Sequence, residues 1–141
     1  MSGNVLIDTS IWIEFFREKG SPISARLQEY LKLGQACYAG PIAIELYHGA
    51  KTQKELQVLD QLFEAITYVE ITRKHYHLAG LTSQKAARKG KTFSVVDMVL
   101  AITAQEEQLF LFSLDTHFKE IARYCMLSLV PLPEEMYKVK L

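Results

Sequence analysis

The sequence predicts an α/β fold with a mostly parallel central sheet of about five strands flanked by helices on both faces. Two observations carry this expectation. Short apolar runs, such as Val5-Leu6-Ile7 and Leu109-Phe110-Leu111-Phe112, alternate with longer segments of helical periodicity. Those longer segments also open on Ser, Thr or Pro and close on Gly, the punctuation of helix ends.

Taken in order, Val5-Leu6-Ile7 is bounded by Asn4 and Asp8 and suits a buried strand, with Thr9 to Arg17 following as a helix. A second helix starts at Ser21 with Pro22 in its first position and runs toward Gly34. Ala36-Cys37-Tyr38 reads as strand two. Pro41 opens a third helix through Ile44 and Tyr47, and the charged amphipathic stretch from Thr52 to Ala65 makes a fourth. Tyr68-Val69 follows as strand three. Thr72 caps a long helix that lasts to about Gly90, and Ser94 caps the next, from Val95 to about Glu107. Leu109 to Phe112 is strand four, a turn falls near Asp115, a short helix reaches Arg123, and Leu127 to Val130 is strand five. In sheets of this kind ligands bind beyond the carboxyl ends of the strands.

The 141 residues have the length of one domain, so 1–141 is read as a single unit with no linker, repeat or low-complexity segment. Basic and acidic residues balance at 16 each, which removes any general attraction for phosphate or an anionic membrane. Nucleic-acid binding then has to come from a local patch. Cys37 and Cys125 lie far apart in apolar surroundings and read as thiols in a reduced compartment. Met1-Ser2-Gly3-Asn4 opens no leader pattern, and no apolar run approaches the roughly 18 residues a membrane span needs. A cytoplasmic location with no membrane contact is the expectation.

Four carboxylates stand inside otherwise uncharged, largely apolar segments: Asp8, Glu45, Asp97 and Asp115. An ionised carboxylate taken out of water without a partner costs several kcal/mol. Asp8 and Asp115 follow expected strands, so parallel topology puts both on one edge of the sheet. Asp97 and Glu45 are expected in first turns of helices that begin at the same edge. All four can therefore converge, and clustered carboxylates repel unless a cation sits among them; their hard oxygen donors select Mg²⁺ or Mn²⁺ rather than Zn²⁺. Each also has a plainer role available, because Asp8, Glu45 and Asp97 can complement helix N-termini and Asp115 can shape a turn.

At these positions the chain resembles a known family. Val5-Leu6-Ile7-Asp8-Thr9-Ser10, Ile44-Glu45-Leu46 with Gly49, Val96-Asp97-Met98-Val99-Leu100-Ala101 and Phe112-Ser113-Leu114-Asp115-Thr116-His117-Phe118 are similar to the four successive motifs of PIN domains, in the same order. The resemblance is strongest to the small toxin nucleases of the VapC type. It implies a PIN-like three-layer fold and Mg²⁺- or Mn²⁺-dependent cleavage of RNA that leaves 5′-phosphate and 3′-hydroxyl ends. It also implies a cognate antitoxin and a homodimer. Asp8, Glu45, Asp97 and Asp115 match the acidic tetrad, with Thr9, Ser10 and Ser113 where supporting hydroxyls occur. Ser113 stands where threonine is common, and His117 where many members carry a further acidic residue.

The densest basic stretch, Arg88, Lys89 and Lys91, precedes Asp97 and is the candidate for RNA phosphates, against a plainer role as a solvated helix end. Trp12, Phe15 and Phe16 load the first helix with aromatic surface, part of it core and part a candidate for an antitoxin or dimer partner. Other motifs lead nowhere. Gly90-Lys91-Thr92 imitates the end of a P-loop but follows a helix and has Lys85 where the first glycine belongs. Glu45-x-x-His48 lacks the second pair that a di-iron site requires, and His75 and His77 diverge on a helix. A receiver-type phosphoacceptor domain needs an acidic pair on strand one, where Asp8 is preceded by Ile7. The alternative that keeps the fold is a non-catalytic PIN-like module that binds RNA or protein.

Overall fold

The computed structural model describes residues 4–138, so the start Met1-Ser2-Gly3 read above lies outside the described residues. The elements are β1 (Val5–Ile7), α1 (Thr9–Arg17), α2 (Pro22–Lys32), β2 (Ala36–Tyr38), α3 (Gly40–Gly49), α4 (Gln53–Ala65), β3 (Thr67–Tyr68), α5 (Arg73–Arg88), α6 (Val95–Glu106), β4 (Phe110–Phe112), α7 (His117–Ile121) and β5 (Ser128–Leu129). The strands order as β3-β2-β1-β4-β5, and every pairing is parallel. Strand three begins one residue earlier than the sequence suggests, yet the Val69 N–H still donates to the Tyr38 carbonyl at 2.8 Å, so the ladder continues past its assigned end.

Helix starts follow the hydroxyl caps. Ser21, Thr52, Thr72 and Ser94 each accept a hydrogen bond from the backbone N–H three residues on, which satisfies a donor that the helix itself leaves open. At Thr52 the Glu55 carboxylate returns the bond to the cap residue's own N–H, completing a capping box. At Thr72 a histidine does the same: His75 Nδ1 accepts from the Thr72 N–H at 2.9 Å.

All three residues of β1 are buried, and because successive side chains point to opposite faces, both faces of the sheet must be covered. Within α6 the residues from Asp97 to Ala104 are all buried, so the middle of this helix is enclosed on every side while its start at Val95 and Val96 is exposed. The core joins β1 and β4 to Ile11, Trp12, Leu27, Met98, Leu100, Phe112 and Phe118. Among the described residues, no helix is long and apolar enough to cross a membrane.

Sheet growth changes direction at β1: the chain adds β2 and β3 on one side and then returns to place β4 and β5 on the other. Where strand order reverses in this way, the connections leaving two neighbouring strands part to opposite faces and leave a crevice at their carboxyl ends. Here that crevice lies beyond Ile7 of β1 and Phe112 of β4, which are register partners.

A carboxylate site at the β1–β4 crevice

Asp8 is the first residue after β1. Its N–H continues the ladder by donating to the Phe112 carbonyl at 3.0 Å, so its position is set by the sheet. It also precedes α1, but its side chain makes no cap bond there. Two hydroxyls donate to its Oδ2 instead: Ser113 at 2.7 Å and Ser10 at 2.9 Å. Each serine in turn accepts a backbone N–H, Ser10 from Leu114 and Ser113 from Asp115, both at 3.0 Å. Those acceptances direct the hydroxyl protons toward Asp8. The loop after β4 is thereby tied to the end of β1.

Asp97 reaches the crevice from the first turn of α6, its N–H donating to Ser94 Oγ at 3.1 Å. Asp115 follows β4 by three residues. Its Oδ1 accepts the His117 N–H at 2.8 Å, an Asx turn that folds the start of α7 back beside it. His117 Nδ1 then lies 3.3 Å from Asp115 Oδ1 and 3.7 Å from Asp97 Oδ2. Relative exposure is 8% for Asp8, 3% for Asp97 and 7% for Asp115, so three carboxylates from three separate elements are held away from water.

Glu45 is placed differently from the sequence expectation. Because α3 begins at Gly40, Glu45 is its sixth residue, in the second turn, and is exposed. It is still connected to the site: Thr9 Oγ1 donates to Glu45 Oε1 at 2.8 Å, and Thr9 is the neighbour of Asp8. The buried aspartates form the floor and Glu45 stands at the rim.

Burial pushes the Asp8 carboxyl above its ordinary range, the hydroxyls of Ser113 and Ser10 and the Thr9 N–H pull it back, and the Asp97 charge adds to the rise. Such a group gains from a nearby cation. Asp97, Asp115 and His117 each offer a donor atom within 4.8 Å of the others, a spacing at which one ion can be shared. Two carboxylates and an imidazole at this spacing fit a divalent metal ion.

The remaining candidates divide. Lys91 is paired with Glu120 of α7 at 3.5 Å, one helical turn from His117 and so on the site's side of the molecule; Arg88 and Lys89 are exposed at the end of α5. Trp12 is fully buried between its aromatic neighbours and the core and offers no surface to a partner, which corrects its reading as an anchor. Trp12 follows the first residue of α1, Thr9, by three and shares the helix's inward stripe with Ile11. Phe15 is half-buried and Phe16 is 42% exposed. His75 is buried and structural, whereas His77 is exposed, so the two rings do point apart. Cys37 and Cys125 are free thiols, and burial raises both above the usual thiol range.

The sequence pattern that defines the PIN domain matches residues 5–124, from the first residue of β1 to just past α7. The chain belongs to the PIN domain family. This PIN domain is 28% identical over 123 residues to a VapC ribonuclease of Mycobacterium bovis and to ribonuclease VapC11 of Mycobacterium tuberculosis, covering 84% of the chain and 92% of each relative. Among solved structures it is similar to that of VapBC2 from Rickettsia felis bound to a promoter DNA fragment, with a TM-score of 0.75 at 18% identity, covering 89% of this chain and 96% of that one. FitAcB from Neisseria gonorrhoeae is comparable, with a TM-score of 0.72 at 19% identity and coverage of 90% and 96%. At such identities the structures speak for the fold, which is the three-layer α/β arrangement expected from the sequence.

Proposed function

We propose that this PIN domain is a divalent-metal-dependent endoribonuclease and the toxin of a toxin–antitoxin pair. The observation that carries this reading is the gathering of buried carboxylates from three elements at the β1–β4 crevice: Asp97 and Asp115 offer donor atoms within 4.8 Å, and the buried Asp8 carboxyl feels the Asp97 charge. The ribonuclease names of its relatives by sequence support it.

Asp97, Asp115 and Asp8 would hold Mg²⁺ or Mn²⁺, with Glu45 either joining them or orienting the attacking water. When bound, such an ion lowers the pKa of a coordinated water and offsets charge on the phosphate and leaving oxygen. The chain's own contribution is positional. Ser10 and Ser113 fix one oxygen of Asp8, so the carboxylate does not swing as charge builds nearby. Thr9 does the same for Glu45. Burial of the three aspartates keeps water from the floor and strengthens each electrostatic contact within it. Since the site is itself acidic, an RNA strand needs cations beyond its edge; Arg88, Lys89 and Lys91 supply them.

Inhibition follows from an antitoxin segment lying across α1, with Phe16 and the exposed part of Phe15 as apolar anchors and a cation directed at the carboxylates around Asp8. Solved relatives that are themselves toxin–antitoxin complexes support such a partner. Dimerisation of the toxin is part of the same proposal.

The test is cleavage of a defined single-stranded RNA by the purified chain. Cleavage is expected to need added Mg²⁺ or Mn²⁺, to stop in EDTA, and to fall about 100-fold or more in Asp97→Asn while the circular dichroism spectrum is retained. Full activity in excess EDTA, or in the Asp97→Asn variant, would overturn the assignment.

A further inference from the structure

His117 occupies a place that the four carboxylates do not account for. Its ring is brought to the cluster by two constraints, the Asx turn from Asp115 and the burial of its neighbour Phe118, which pins the start of α7 to the core. The ring is half-buried, and its Nδ1 faces two buried carboxylates from different elements at once.

We propose that His117 Nδ1 is a direct ligand of the divalent ion, together with Asp97 and Asp115, and that it gives this centre a preference for Mn²⁺ over Mg²⁺. The inference rests on the metal-dependent reading above. In an octahedral shell of about 2.1 Å radius, adjacent donors lie about 3 Å apart and opposite ones about 4.2 Å. The His117 Nδ1 distances of 3.3 Å to Asp115 Oδ1 and 3.7 Å to Asp97 Oδ2 fall between those limits. The choice of metal follows from the donor. Mg²⁺ is a hard ion that favours oxygen, whereas Mn²⁺ stands at the start of the transition series, where imidazole nitrogen is an acceptable ligand. Replacing a carboxylate oxygen by nitrogen therefore costs Mg²⁺ more than it costs Mn²⁺. A different role for the same contact is that of a protonated imidazole acting as a built-in counterion, which would compete with the metal and not bind it.

Two measurements separate these roles without recourse to activity. Pulsed electron paramagnetic resonance of the Mn²⁺-loaded wild-type chain is expected to show coupling to an imidazole nitrogen, and this coupling is expected to vanish in His117→Ala. Titration of Mn²⁺ and Mg²⁺ into the metal-free protein is expected to show Mn²⁺ affinity about tenfold weaker in His117→Ala, Mg²⁺ affinity changed much less, and Mg²⁺ affinity improved in His117→Asp. A wild-type Mn²⁺ complex without nitrogen coupling overturns the proposal even if the variants do not fold. So does Mn²⁺ affinity that is unchanged or increased in His117→Ala, the signature of a counterion. Asp97→Asn distinguishes the two levels of inference: if it binds Mn²⁺ like the wild type, the carboxylate centre itself is wrong, whereas loss in Asp97→Asn with no change in His117→Ala removes only the histidine.

Discussion

At the scale of single residues the site is a set of groups that would not otherwise share one place. Asp8 is the clearest case, because burial raises its pKa and the neighbouring Asp97 charge raises it further. A carboxyl whose folded pKa exceeds its unfolded value favours the fold while protonated, and that contribution is lost as pH rises through the folded value. Metal-free protein is therefore expected to lose stability as pH rises from the ordinary aspartate range, near 3.8, and Asp8→Asn to remove part of this loss. Thermal unfolding in EDTA across a pH series from the ordinary aspartate range to above neutral checks this; a variant whose stability falls with pH as steeply as that of the wild type would contradict it. Asp8, Asp97 and Asp115 were legible in the sequence because an isolated acid in an apolar run has few explanations. Glu45 was expected in a first turn, but even from Pro41 it is the fifth residue and from the observed start at Gly40 the sixth, so it stands in the second turn and meets the site through Thr9. His117 was visible as a departure from an acidic pattern, and its partnership was not. The available signal was local: an aspartate two residues before a helix start forms an Asx turn, which brings residue 117 beside residue 115.

Among the elements, the α5–α6 pair shows how helix ends position chemistry from a distance. His75 Nδ1 caps α5 through Thr72, and its Nε2 lies 3.1 Å from Glu107 Oε2, the residue that ends α6. Losing a buried, bonded ring at this junction is expected to cost about 2 kcal/mol in His75→Ala, measured by urea unfolding. His75→Gln, which can still reach the Thr72 N–H, should recover part of that. Helix starts were readable because hydroxyl caps act through local bonds. Strand ends were less so: Leu109 and Leu127 belong to the apolar runs but fall outside β4 and β5, because pairing with neighbours, not composition, decides where a ladder stops. The end of α5 carries the RNA-facing expectation. Converting Arg88, Lys89 and Lys91 together to alanine is expected to lower the slope of log affinity against log salt by about 1 to 2 units, since each single-strand phosphate contact contributes roughly 0.7. Lys91 is shared with Glu120, so Glu120→Gln should strengthen binding and steepen the same slope. Filter binding across a salt series distinguishes these outcomes from a solvated helix end, for which neither slope moves.

For the molecule as a whole, balanced charge means that recognition depends on where surfaces lie and not on a general field. The aromatic helix α1 has an inner side, closed by Trp12, and an outer side, where Ile13 and Phe16 are each 42% exposed. An antitoxin bound there and reaching the carboxylates is expected to compete with metal and RNA. Phe16→Ala is expected to weaken the complex by about tenfold or more, and Phe15→Ala by less, in calorimetric titrations of folded variants. Equal affinity of both variants and the wild type would place the partner elsewhere. The order of the strands also has a consequence in time. In synthesis Asp8 precedes by 105 residues the Ser113 hydroxyl that orients it, and β1 gains β4 as a neighbour only then. Closing so long a loop is slow compared with forming any single helix. During synthesis, then, Asp8 waits 105 residues for the hydroxyl that fixes it, and a product stopped short of β4 lacks both Ser113 and Asp115. In the interval between the synthesis of Ser113 and the docking of β4, Asp8 exists but the crevice that holds it does not.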